Sequence, residues 1–364
     1  MIRQLTVAGL LFAGASEAQT PDPGYRVGVV SESGDIVTWL RPAGDSLVVD
    51  HVVPVGLMPV DIDGPHHLAI APDQRSYYVT IAHGTPYGSL WKLDAASDTL
   101  LGRSQVELFP TTIGITPDGQ FAFVANSDFH GDHPRTNVVS VVHTPTMRRL
   151  TDLEACDMPH GVKPNHAGNR VYVSCMHSDE ILELSVGTVS IARRAPAGTG
   201  HAAMSHPAPG SAMPPCAPTF VSVSPDDKRL YVACNNRNTL QVWDAATLSL
   251  VGEVAVGKGA YNVEPSPDGT IVVVTNKKDR SVSLVDARSF TEIARVPTSK
   301  PIVHGIAYSP DGRLAYISCE SIGADPGSVD VIDLRSHSRV ASVSIPGQPT
   351  GIAVLAPRSN TPAR

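Results

Sequence analysis

Fourteen histidines and five cysteines occur in the 364 residues, and neither set is scattered. His66, His160 and His304 each stand at the start of a short β-prone run, and His67 follows His66 directly. His83, His130, His133 and His177 each come after the next such run, while His201 and His206 fall in a Pro-rich insertion. The cysteines obey the same rule, with Cys156 and Cys216 ahead of a run and Cys175, Cys234 and Cys319 at the end of one. Met158, Met176, Met204 and Met213 join them. Imidazole, thiolate and thioether are the donors that copper, iron and zinc prefer. Three imidazoles with an open position form a common catalytic metal shell. The candidate metal-ligating residues are therefore His66, His67, His160 and His304, with His83 and His177 beside them. Such binding should weaken as pH falls through about 6.5, where protons compete for imidazole nitrogen.

Each candidate also has a plainer reading. A cysteine that ends a strand often serves as a small buried apolar residue. A disulfide between neighbouring repeats, Cys175–Cys234 or Cys156–Cys216, is the alternative, and an odd count leaves at least one thiol over. A histidine in a polar loop is usually solvated, and so is a lone carboxylate such as Glu320 after a strand.

The elements that must position these residues come from an internal repeat. A turn-plus-strand unit begins at Ala71-Pro-Asp, Thr116-Pro-Asp-Gly, Ser224-Pro-Asp-Asp, Ser266-Pro-Asp-Gly and Ser309-Pro-Asp-Gly, with a degenerate copy at Lys163-Pro-Asn. Its prolines at 72, 117, 164, 225, 267 and 310 lie 45, 47, 61, 42 and 43 residues apart. Proline presets φ for a tight turn and glycine accepts positive φ. The β-branched and aromatic run that follows each turn is a strand. A further strand ending in Asp comes next, as in Leu240-Gln-Val-Trp-Asp244, and then a fourth. Four strands in a period of roughly 42 residues is the arithmetic of a β-propeller blade.

Innermost strands fall near residues 66, 111, 160, 219, 261, 304 and 350, which makes seven blades. Residues 25–54 supply three strands with no inner one, and Thr350–Leu355 supplies an inner strand with nothing after it. The expectation is a single all-β, seven-bladed β-propeller spanning 19–357, closed by pairing of the N-terminal strands with the C-terminal strand. Aligning the inner strands sets His66, Thr111, His160, Thr219, Tyr261, His304 and Thr350 at equivalent positions round the channel mouth. Ten of the fourteen histidines then map to one face, whereas His51, His143, His166 and His337 do not.

The repeat resembles the Tyr-Val-Thr-Asn (YVTN) type of bacterial propeller, on the strength of Val274-Thr275-Asn276, Tyr231-Val-Ala-Cys234 and Tyr172-Val-Ser-Cys175. That group includes the propellers of nitrous oxide reductase, the haem d1 proteins and the amine dehydrogenase heavy chain. The resemblance implies a fold far more than a function, since members range from scaffolds to enzymes. Pro65-His66-His67 is similar to the paired histidines that open the copper-cluster shell of nitrous oxide reductase. The chain is much shorter than that enzyme, so that activity does not follow.

Composition narrows the partners. A net charge of -7 and the lack of any basic run argue against nucleic acid. No apolar stretch reaches the roughly 18 residues of a membrane span. Residues 1–18 read as a secretory signal peptide, with Arg3 ahead of an apolar stretch and Ser16-Glu17-Ala18 as its cleavage site. Residues 358–364 read as a disordered tail. The expected location is periplasmic or secreted. There is no Cys-x-x-Cys-His for covalent haem, and no zinc-protease, hydrolase or phosphate-loop motif. Two functions remain. One is a propeller whose His-rich mouth binds a metal or metal-containing cofactor, with oxidoreductase or lyase chemistry there. The other is a non-catalytic periplasmic propeller that carries a cofactor or presents this face to a small molecule or partner protein.

Overall fold

In the computed structural model, the described residues are 24–57, 62–83, 88–127, 137–198, 213–321 and 325–357. The signal peptide, the tail, His130, His133, His201, His206 and Met204 lie outside them. Seven four-stranded antiparallel sheets make up the fold, each built from strands consecutive in the chain except one. In that one, Pro349–Leu355 pairs with Arg26–Ser31, which pairs in turn with Ile36–Ala43 and then Ser46–Pro54. The predicted closure is thus the observed one. Among the described residues no helix is long and apolar enough to cross a membrane.

The turn that launches the second strand of each blade is fixed locally. In the sequence Ser266-Pro-Asp-Gly, the Ser266 hydroxyl donates to Asp268 at 2.6 Å and accepts from the Ile271 N–H at 3.0 Å. Gly269 closes the turn at φ +70°. Ser309 and Ser224 repeat the bond to Asp311 and Asp226, both at 2.6 Å. Where a third strand ends in Asp, that carboxylate holds the next turn: Asp244, Asp286 and Asp333 accept the N–H of Thr247, Ser289 and Ser336.

Blades pack through buried aliphatic and aromatic layers, such as Trp39, Leu68, Tyr77 and Leu93 between the first blade and its neighbour. Inner strands approach so closely beside the ring residues that the position after His160, His304 or Thr350 is glycine. A Cβ on Gly305 would come within 2.7 Å of the Thr350 carbonyl.

Two disulfides, Cys156–Cys175 and Cys216–Cys234, correct the expectation of pairing between blades, and equally that of Cys175 and Cys234 as buried thiols. The reason lies in strand register. Cys175 and Cys234 sit opposite Pro159 and Pro218, the first residues of the adjacent inner strands, and Cys156 and Cys216 lie three and two residues ahead of those prolines. The Cα atoms are therefore 5.9 and 4.5 Å apart within one blade. Cys319 is buried as a thiol, as the plainer reading has it.

Candidate functional site

Every inner strand carries a break in its pairing register at the same place. It falls after Pro65, Pro110, Pro159, Pro218, Ala260, Val303 and, on the partner strand, opposite Pro349. The residue at the break is His66, Thr111, His160, Thr219, Tyr261, His304 or Thr350, so the aligned ring is real. A bulge re-aims the side chain it carries, and all seven are buried, from 0 to 6% exposed.

Four consecutive ring side chains donate to the backbone carbonyl of their counterpart in the next blade. His66 Nδ1–H donates to Thr111 O at 2.9 Å, and Thr111 Oγ1 donates to His160 O at 3.2 Å. His160 Nδ1–H donates to Thr219 O at 2.8 Å, and Thr219 Oγ1 to Tyr261 O at 2.6 Å. There the series stops. His304 Nδ1 and Thr350 Oγ1 are buried without a hydrogen-bond partner. Tyr261 instead turns its hydroxyl to His160 Nε2 at 3.2 Å and His304 Nε2 at 3.1 Å. With Nδ1 protonated, His160 Nε2 carries a lone pair and accepts from the Tyr261 hydroxyl. The Tyr261 oxygen then accepts from His304 Nε2–H.

The rings touch in sequence. His66 and His304 have centroids 5.3 Å apart, Tyr261 and His304 4.7 Å, and His160 and Tyr261 5.5 Å. Burial keeps the imidazoles neutral. It drives His160 down to about 3, with His66 adding to the effect, and it lowers His66 and drives His304 well below the usual range. Burial also pushes the Tyr261 phenol up to about 12, against the opposing pull of Lys277. Proton competition at these nitrogens therefore sets in below the pH 6.5 expected from sequence, and furthest below it at His160 and His304.

Charged groups border the ring. Glu320 lies 3.9 Å from His304 Nε2 and 3.3 Å from Lys277 Nζ, and the Lys277 ammonium stands 4.2 Å over the Tyr261 ring. Glu320 is 6% exposed, which corrects its reading as a solvated carboxylate. Burial raises its pKa while Lys277 opposes the rise. Burial alone would pull the Lys277 pKa down, but Tyr261 and Glu320 outweigh it. Burial works to raise the Glu32 pKa, but the hydrogen bond with His83 Nε2 at 3.3 Å opposes it and the net shift is downward.

The other candidates part company. His83 joins the border through Glu32 and packs on Phe109, whose ring also packs on His66. His67 is one layer down, lining a channel cavity of about 300 Å³ with Asn262, Glu264 and His304. Burial, helped by His66 and Lys163, depresses it to about 3. His177 stays in the turn after its strand, its backbone N–H on Asp157 O at 3.3 Å. Tyr261, Lys277 and Glu32 escaped sequence reasoning as functional residues, although Tyr261 stood in the aligned ring.

The ring nitrogens stand wider than a single ion's ligand set. Among the described residues, only Cys156, Cys175 and Glu180 bring three such ligand atoms within 4.8 Å of one another, and those sulfurs form a disulfide. The Tyr261 hydroxyl fills the space between His160 and His304.

Comparisons with known proteins agree with this architecture. A family model, the Cytochrome D1 heme domain, matches residues 266–356. A seven-bladed beta-propeller protein of Mycobacterium tuberculosis is 29% identical over 275 residues, 64% of this chain. The chain matches 63% of that relative's own length. The chain is a seven-bladed β-propeller similar to the haem d1 propellers. Solved structures of the same fold include a functionally unknown protein from Desulfotomaculum acetoxidans, at TM-score 0.71 and 14% identity over 91% of this chain and 99% of that one. Kuenenia stuttgartiensis hydrazine synthase has TM-score 0.64 and 20% identity over 80% and 90% of the two chains. Dihydro-heme d1 dehydrogenase NirN in complex with DHE has TM-score 0.59 and 15% identity over 94% and 78%. The family match spans Lys277, His304 and Glu320 but neither His66 nor His160.

Proposed function

We propose that the protein is an exported propeller that binds a transition metal (copper, iron or zinc), as an ion or within a cofactor, at the channel mouth formed by His66, His160, His304 and Tyr261. The observation that carries this reading is the tautomer control of His66 and His160. Metal-binding histidines characteristically donate the other ring N–H to a carbonyl, which orients the ring and leaves a lone pair for the metal. These two do so with Thr111 and Thr219, and burial holds them neutral. The match to the haem domain family over 266–356 supports a metal-containing cofactor as the guest. His67, His83 and His177 are surrounding residues in this reading.

Export is supported by two disulfides, which persist in oxidising compartments. Cleavage near Ala18 is the corresponding proposal, and an intact Met1 in the mass spectrum of mature protein would refute it.

At the mouth, the chain's own groups bind the guest through the Nε2 lone pairs of His66 and His160 and, once its ring proton moves to the unpartnered Nδ1, of His304; they exclude water by burial and offer the Tyr261 hydroxyl as a hydrogen-bond donor. Iron or copper in the bound guest would bring redox chemistry; a redox-inert ion such as zinc would leave Lewis-acid catalysis, the lyase class. The test is metal and haem analysis of protein purified from its native compartment. The triple variant His66→Ala/His160→Ala/His304→Ala should lose occupancy by orders of magnitude, whereas His143→Ala and His337→Ala should keep it. Equal occupancy in wild type and triple variant would leave the non-catalytic partner-binding reading in place.

A further inference from the structure

Below the ring, the channel cavity of about 300 Å³ has the size of a small ligand pocket. The ring caps one end of it, because all seven ring side chains are buried. Its more exposed polar residues, Lys163 and Glu264, lie three positions further along their strands than His160 and Tyr261. A guest would therefore enter from the end away from the mouth. Asn262 is 6% exposed, and its Oδ1 is buried without a hydrogen-bond partner, which leaves the Nδ2 hydrogens as the part of the amide that the cavity can reach. His67 Nδ1 is likewise buried and bare, so Nε2 is the nitrogen on the cavity side. Glu264 is different. Lys163 Nζ donates to its Oε1 at 2.6 Å and the Ser222 hydroxyl to its Oε2 at 2.7 Å, so both oxygens are engaged.

The Lys163 ammonium has three N–H groups, and its bond to Glu264 uses one of them. Asn262 and Glu264 are two residues apart on one strand and both line the cavity, so that bond also holds the ammonium near the Asn262 amide. Lys163 is close enough to His67 to help keep that imidazole neutral. The cavity thus gathers spare donors from an amide, an ammonium and an imidazole N–H, while its one carboxylate is already engaged. A donor surplus that includes a cation is complementary to an acceptor-rich anion. Ile113, Val162, Phe220 and Ile306 make the rest of the wall apolar. We propose that this cavity binds a small organic carboxylate, its oxygens on the Asn262 amide, the Lys163 ammonium and His67 Nε2–H, and its hydrocarbon part on the apolar wall. This is a second site beneath the mouth, and it requires no metal there.

The probes are sodium acetate, butanoate and benzoate, titrated into the full-length purified protein by calorimetry, with benzamide as the neutral counterpart of benzoate. Saturable binding of an acid at one site per chain is expected, tighter for butanoate or benzoate than for acetate. Benzamide should bind at least ~10-fold more weakly than benzoate, since it forgoes the charge-assisted bonds. Glu264→Gln removes the competing negative charge, keeps Lys163, and should lower the acid Kd several-fold. Asn262→Asp keeps the shape, replaces the donor by an acceptor, and should abolish acid binding. Thermal melts of both variants separate a lost site from a misfolded chain. No saturable binding of any acid would leave the channel to water and overturn the proposal. Benzamide binding as tightly as benzoate would overturn it too, and so would an acid Kd that either substitution leaves unchanged in a folded variant. None of these outcomes bears on the metal reading of the mouth, which the native-source metal and haem analysis decides by itself.

Discussion

The mouth ring has two arcs that share one backbone design and differ in how they are satisfied. From His66 through Thr219, every ring side chain donates to the carbonyl of the next blade. From Tyr261 through Thr350, none does, and two buried polar atoms are left bare. The two disulfides brace blades of the satisfied arc, at His160 and Thr219, whereas the blade of His304 in the other arc keeps Cys319 as a thiol. The charged groups Lys277 and Glu320 belong to the unsatisfied arc as well. Native proteins rarely leave buried polar atoms unpaired. The contrast therefore teaches where to look for a ligand: the first arc is a braced frame, and the second keeps its hydrogen-bonding capacity unfilled.

If the braced arc is a frame, its disulfides should matter more to stability than the lone thiol does. Each closes a loop of 18 or 19 residues, which constrains the unfolded chain by about 3 kcal/mol. The double variant Cys216→Ala/Cys234→Ala should lose about that much in urea unfolding. Cys319→Ala, which removes only a buried sulfur, should cost about 1 kcal/mol. Equal losses would erase this side of the comparison.

Acid should strain the same frame. His160 is fully buried and held near 3 in the folded protein, against 6.5 for an ordinary imidazole. Between those values the unfolded chain binds the proton more strongly, so stability is full above pH 6.5 and falls as pH drops. The slope approaches ~1.4 kcal/mol per pH unit for each such imidazole. His160→Gln, whose amide can still donate to the Thr219 carbonyl, should flatten the metal-free protein's pH-stability curve over pH 4–6 by that one-proton slope. An unchanged slope would mean His160 is already protonated in the fold.

How much of this could be read in the sequence divides along physical lines. The blade count, the closure and the ring from His66 to Thr350 were legible because Pro-Asp-Gly turns and β-branched runs are local signals that recur with a fixed period. The disulfide partners were not. Cys156 and Cys175 meet only because the register places Cys175 opposite Pro159, and register is a property of two strands together. Lys277 was hidden for a similar reason, and Glu320, a candidate acid or base in the sequence, reads there as solvated. Glu320 ends one strand and Lys277 follows another as ordinary polar residues, and only the curvature of the ring carries both onto the Tyr261 and His304 rings. The role of Tyr261 needed three dimensions too, since its hydroxyl bridges residues 101 and 43 positions away.

The smallest effect is the most direct probe of the two arcs. Thr219 and Thr350 occupy equivalent bulges and are equally buried, but only the Thr219 hydroxyl donates, to Tyr261 O at 2.6 Å. Thr→Val preserves shape and removes the hydroxyl. At Thr219 it strips a donor from the Tyr261 carbonyl and should cost about 1 kcal/mol, the net worth of a buried hydrogen bond. At Thr350 the hydroxyl is bare, so removing it relieves a desolvated polar group, and the variant should be neutral or slightly more stable. Urea midpoints of the two metal-free variants, measured side by side with unchanged slopes, give the sign of each. A loss at Thr350 matching that at Thr219 would mean both arcs are satisfied alike, by water in the second, and the argument for an unfilled arc would go with it.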